Sequence, residues 1–168
     1  VVAAAACSTA AESLRAEGNM TEATRFVREF LETHPSKTSQ AVGYYELATT
    51  LADSGEDLDS ALDYAGRALS AAPDELKPYP LAALGWVHYK RHEFERAIDC
   101  LRKSSERAAQ PTTFHHLGMA YLAAGRAEEA KAAFTKAKTV ARGGALEDRM
   151  LQQVRSNIRL AEKFGSKK

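Results

Sequence analysis

Apolar positions recur along this chain in a fixed order: large, then a large–small pair, then large, at spacings of three, one and three. Phe114, Leu117-Gly118 and Tyr121 form the clearest instance, and Tyr44, Leu47-Ala48 and Leu51 another. At 3.6 residues per turn the four positions share one face of a helix, so the pattern predicts amphipathic helices. The small member of the pair lets a second helix approach closely. That second helix carries its own stripe, small, then larger four residues on, then usually small three after that.

The pattern repeats. Residues 81–88 lie over 114–121 without a gap, at an offset of 33 residues, and the same offset carries Pro78 onto Pro111, Ala97 onto Ala130 and Leu101 onto Phe134. An earlier copy reads Tyr44, Leu47, Ala48, Leu51, Ala61, Ala65, Ala68 and Pro73, with one extra residue near Glu56-Asp57-Leu58. A weaker first copy reads Cys7, Ala10, Ala11, Leu14, Gly18, Ala23, Val27, Phe30 and Pro35. Gly18, Gly55 and Gly125, and Arg91-His92 in the third copy, mark the turns between paired helices. Pro35 and Pro73 stop the second helices. Asn19 followed by Glu22 reads as a capping box. Beyond Gly143-Gly144, a predicted helix break, Leu146, Met150, Val154, Ile158 and Ala161 make one apolar stripe opposite Glu147, Arg149, Gln152, Arg155 and Lys163. That is what a terminal capping helix needs, since the last unit of a stack otherwise exposes its core. Residues 165–168 read as a frayed tail.

The fourth copy, Phe114, Leu117, Gly118, Tyr121, Gly125, Ala130, Phe134 and Ala137, resembles the tetratricopeptide repeat family at nearly every position, lapsing only at Arg142, where a closing Pro belongs. The third copy departs with His88, Leu101 and Ser104, the second with Ala65, and the first with Phe30 in a place normally small. The resemblance implies an all-α, right-handed solenoid of about four helix-turn-helix units: a degenerate repeat over 4–37, repeats over 41–75, 78–110 and 111–143, and a capping helix over 145–164. It also implies that the first helix of each unit lines a concave groove. The family's clamp for a peptide C-terminal carboxylate is missing: its positions hold Ser8, Glu12, Glu46, Tyr79 and Ala83.

Composition agrees with helix. There are 32 Ala but only 7 Val and 2 Ile, and Ala is the best helix former while β-branched residues favour strands. Charge narrows the partners: 23 Lys+Arg against 22 Asp+Glu leaves no basic excess for nucleic acid or an anionic membrane. No apolar run is long enough for direct membrane insertion. Cys7 and Cys100, far apart, supply neither a disulfide framework nor a zinc site. The small residues before Cys7 resemble a lipoprotein cleavage site, but a charged and fully apolar leader is missing, so Cys7 reads as a core residue of the first helix. The chain lacks an initial Met and reads as part of something longer.

With the core face of each first helix assigned, the adjoining inner face follows: Ala5, Ser8, Glu12 and Arg15; Val42, Tyr45, Thr49 and Ala52; Tyr79, Ala82, Trp86, Tyr89 and Lys90; Thr112, His115, Met119 and Leu122. The single Trp, three of six Tyr and one of three Met fall on this strip, and none is needed for the repeat core. The candidate partner-binding residues are Tyr45, Thr49, Tyr79, Ala82, Trp86, Tyr89, Lys90, Thr112, His115 and Met119. Aromatics and Met gathered on a surface are typical of binding hot spots. The competing reading is that Trp86 and Tyr89 pack against adjacent helices or each other.

Candidate chemistry is thin. His88 and His92 are four apart, but one replaces a core Tyr and the other sits in a turn. Of the adjacent pair, His115 is expected in the groove and His116 on the helix side. Asp57, Asp59 and Asp63 suit a helix N-terminus, and lack the Gly and final Glu of a calcium loop. No catalytic motif, phosphate loop, cofactor site or metal set is present. The sequence therefore predicts a non-enzymatic protein–protein interaction scaffold that binds a peptide or partner segment with apolar or aromatic anchors. The alternatives are a self-assembling homo-oligomer or the regulatory part of a larger enzyme. The run 84–91 is similar to repeats of bacterial cell-envelope and secretion proteins; the compartment, cytoplasmic or periplasmic, is left open.

Overall fold

The computed structural model describes residues 2–141 and 145–165. Arg142, the Gly143-Gly144 break, residues 166–168 and the side chains of Leu146, Met150 and Ala161 lie outside the described residues. Among the described residues the chain forms nine helices and no strand: α1 (Val2–Ala16), α2 (Met20–Thr33), α3 (Lys37–Ser54), α4 (Leu58–Ala71), α5 (Pro78–Lys90), α6 (Phe94–Arg107), α7 (Pro111–Ala123), α8 (Ala127–Val140) and α9 (Ala145–Gly165). Successive helices pack as hairpins, and each odd-numbered helix also touches the next odd-numbered one. This is the all-α solenoid that the repeat pattern predicts.

Local chemistry sets the boundaries. Pro78 and Pro111 open α5 and α7, where a missing N–H costs nothing. The Ser36 hydroxyl accepts from the Ser39 amide at 3.2 Å, and the Asp57 carboxylate from Ser60 at 3.0 Å, so α3 and α4 start on true caps. Gly18, Gly55 and Gly125 occupy the left-handed region at φ 82°, 72° and 76°. The third turn uses His92 at φ 62°, a non-glycine in a conformation that favours glycine. The expected capping box at α2 does not form. Asn19 makes no side-chain bond to the helix amides; its amide donates to Glu17 at 3.2 Å, and Glu22 is taken by Arg25. A carboxylate finds a guanidinium one turn away more rewarding than reaching back.

The small positions allow close helix contact. A Cβ on Gly118 would sit 2.5 Å from the Phe134 ring, and one on Gly85 would sit 2.6 Å from Leu101. The departures from the repeat pattern are compensated locally. Phe30 is buried with Cys7, Val27 and Leu47, and room for neighbouring Leu31 comes from Gly43, whose Cβ would stand 2.5 Å from it. Beside Ala65 the absent aromatic is replaced by Tyr64 and Tyr45 from the flanks. Ser104 is buried, and its hydroxyl donates to the Pro78 carbonyl at 2.6 Å. In α9, Val154 is fully buried on the core formed with α6, α7 and α8, with Ile158 packed against it.

Candidate functional site: the inner face of the odd-numbered helices

The odd-numbered helices place their inner-face residues side by side, and three lateral contacts follow one another along the strip. At the first, Tyr45 of α3 meets Tyr79 of α5 edge-on, ring centroids 6.4 Å apart at 81°. These rings wall a pocket of about 300 Å³ that opens between α1, α3 and α5. Its lining is largely apolar or small: Ala5 and Ser8 from α1, Val42 and Tyr45 from α3, Leu76 and Tyr79 beyond. Tyr79 is 38% exposed, high for so large a ring. Burial pushes the Tyr45 phenol well above its ordinary pKa, with Glu46 adding to the effect. Thr49 turns its hydroxyl onto the Tyr45 carbonyl at 2.9 Å.

The second contact is a stack. The Trp86 indole lies parallel to the His116 imidazole of α7, centroids 3.9 Å apart, and to Tyr89 at 4.9 Å. The Lys90 ammonium stands 5.0 Å from the indole, within cation–π range. The indole N–H donates to the Asp53 carboxylate of α3 at 2.8 Å. Asp53 titrates above its ordinary range because burial outweighs the pull of Trp86, Arg15 and Lys90. His116 is pushed down to about 3 by burial, then by His115 and Lys90, so it stays neutral against the indole. Burial also raises the Tyr89 phenol, and Ala82 packs toward the core of the last pairs.

At the third contact the terminal helix covers the strip. His115 is 8% exposed, and its ring faces the Asn157 amide of α9 at 3.4 Å; the same amide donates to the Met119 sulfur at 3.2 Å. Burial lowers His115 to about 4. The expectation for the histidine pair is thus reversed: His115 is packed beneath α9, and it is His116 that faces Trp86. The cause is lateral, because each odd-numbered helix offers one edge of its inner face to the next helix, and α9 takes that edge of α7. Thr112 is exposed at the start of α7.

A further element went unread in the sequence. The Arg15 guanidinium of α1 bonds Glu46 of α3 at 2.6 Å and reaches Asp53 at 3.6 Å. Glu46 is 1% exposed; burial pushes it above the usual carboxylate range although Arg15 and the Ser8 hydroxyl both hold its charge. The same burial raises the Cys7 thiol to about 12, so Cys7 is inert as a nucleophile. Arg15–Glu46 spans 31 residues and Asp53–Trp86 spans 33. A complementary polar pair close to one repeat apart was the available signal. His88 engages Glu93 at 2.8 Å rather than His92, and Asp59 and Asp63 pair with Arg91 and Arg67.

Residues 111–143 match the family model described as tetratricopeptide repeat. No curated protein sequence matches the chain. Among solved structures, TTC0263 of Thermus thermophilus, described as a thermophilic TPR protein, superposes with a TM-score of 0.65 at 20% identity, covering 86% of this chain and 77% of its own. The pilF protein of Pseudomonas aeruginosa gives 0.62 at 22% identity, covering 96% and 73%. MamA of Desulfovibrio magneticus RS-1 gives 0.57 at 20% identity, covering 98% and 92%. At such identities the likeness establishes the fold and no finer property.

Proposed function

For a chain that carries a tetratricopeptide repeat at residues 111–143 and folds as an array of such helix pairs, we propose a scaffold role: it holds a segment of a partner protein along the inner face of its odd-numbered helices and catalyses nothing. Repeat arrays of this fold generally serve as protein-interaction scaffolds. The observation that carries the reading is the open apolar pocket walled by Tyr45 and Tyr79, with Tyr79 left exposed. A Tyr supplies large, stiff, amphipathic contact area at low entropic cost. Further along, the edges of Trp86, Tyr89 and Lys90 continue the same strip. The displaced titratable groups of the strip support a structural rather than a reactive role, since Glu46, Asp53 and His116 are each held by a neighbour.

Affinity capture from an extract of the source cell, comparing the intact chain with Tyr79→Ala, tests this. A hot-spot tyrosine contributes about 2 kcal/mol, so the captured partner should be lost from the variant while circular dichroism stays unchanged. Retention of the same partner at the same affinity by Tyr79→Ala overturns the reading. Trp86→Ala is a weaker probe, because it also removes the stack that joins α5 to α7.

A further inference from the structure

We propose that the partner segment seated in the Tyr45–Tyr79 pocket carries an apolar side chain with a basic residue close beside it, and that Glu12 receives the basic residue. The inference rests on the groove reading and specifies its ligand.

The pocket asks for an apolar group. α1 contributes only Ala4, Ala5 and Ser8 to the lining, where α3 and α5 contribute rings. That leaves depth on the α1 side for a Leu- or Met-sized side chain to bury apolar area. Charge then sets what flanks it. Glu12 follows Ser8 by four residues and so continues the same face of α1. Ser8 lines the pocket, so Glu12, one turn further along that face, stands just beyond its α1 wall, and its charge also bears on Tyr45 and Glu46. Glu12 is exposed, and among the described residues no cation pairs with it. Arg15, one turn on, is committed to Glu46 and Asp53, and Lys90 lies over the indole. Arg15 is thus taken up by two carboxylates, with Lys90 also bearing on Asp53, while the exposed Glu12 carboxylate stands one turn beyond the α1 wall of an apolar pocket. A basic group arriving there completes the charge balance, and an acidic one meets repulsion. The rise from Ser8 to Glu12 is about 6 Å, close to the span of two residues of an extended segment.

Three fluorescein-labelled 11-residue peptides test the proposal against the full chain by fluorescence anisotropy. All share a Gly/Ser background. One has a central Leu with Lys two residues to either side, the second has Glu in place of both Lys, and the third keeps Lys but replaces Leu with Ser. The Leu–Lys peptide should bind on the order of fivefold tighter than Leu–Glu at low salt, within the range of a rim ion pair, and the gap should narrow in high salt. Glu12→Gln should level the two peptides and Glu12→Lys should reverse their order. The Ser peptide should bind weakest. Equal binding of the two Leu peptides, an order unchanged in Glu12→Lys, or no binding of Leu–Lys at millimolar concentration overturns the proposal. The parent reading fails separately. A native partner lost from Tyr79→Ala but kept at full affinity by Glu12→Lys leaves the groove in place and removes the basic residue, whereas a partner kept by Tyr79→Ala removes the groove.

Discussion

Gly118 and Gly66 occupy helices of the same array and answer opposite demands. Phe134 lies against the bare Cα of Gly118, whereas nothing lies within 4 Å of a Cβ built on Gly66. Gly118→Ala should therefore cost ~1–3 kcal/mol through overpacking, while Gly66→Ala in α4 should stabilise by ~0.5–1 kcal/mol because glycine weakens a helix interior. Urea unfolding of both variants checks the pair, and a loss at Gly66 would mean that a neighbour stands within reach of its Cβ. The Gly118 position was legible in the sequence, since the repeat spacing marks it as the small member that lets a second helix approach closely. The contrast with Gly66 was not, because it depends on what stands across the gap. His115 and His116 show the same limit: adjacent residues point about 100° apart on a helix, but which one faces the open strip depends on where α9 lies.

Between elements, the Arg15–Glu46 pair joins α1 to α3 from within. Arg15→Ala strands a carboxylate that is 1% exposed, and breaking a buried pair from one side costs about 3–5 kcal/mol. The double variant Arg15→Met with Glu46→Leu should recover most of that loss in the same unfolding measurement. The α7–α9 contact adds a pH dependence. His115 takes its proton near pH 6.5 in the unfolded chain but only near 4 in the fold. Between these values the unfolded state binds more protons, so the contribution is present in full above pH 6.5 and fades as pH falls toward 4, amounting to about 3 kcal/mol. Glu46 and Asp53, raised by burial, pull the other way. A comparison of the chain with His115→Gln cancels them: the variant should lose less stability between pH 7 and 4, and parallel curves would refute the assignment. These cross-element links escaped a reading by helix faces. A face assigns a residue to core or groove, and the inner strip has a third destination, the flank of the next odd-numbered helix.

Over the whole molecule, the sequence period carried most of the architecture, because in a stacked array each unit touches only its neighbours and the same positions recur. The terminal helix belongs to that logic. Val154→Asp places a charge at a fully buried site and should cost roughly 2 kcal/mol or more. Hydrogen exchange should then quicken in α7 to α9 while α3 and α4 keep their protection. Uniform acceleration across all helices would show instead that the array opens as one unit.

Side-chain contacts pass from Arg15 of α1 to Asp53 of α3, on to Trp86 of α5 and then to His116 of α7, while Asn157 of α9 meets the neighbouring His115. The same side chains that line the strip therefore also fix how α1, α3, α5 and α7 lie beside one another.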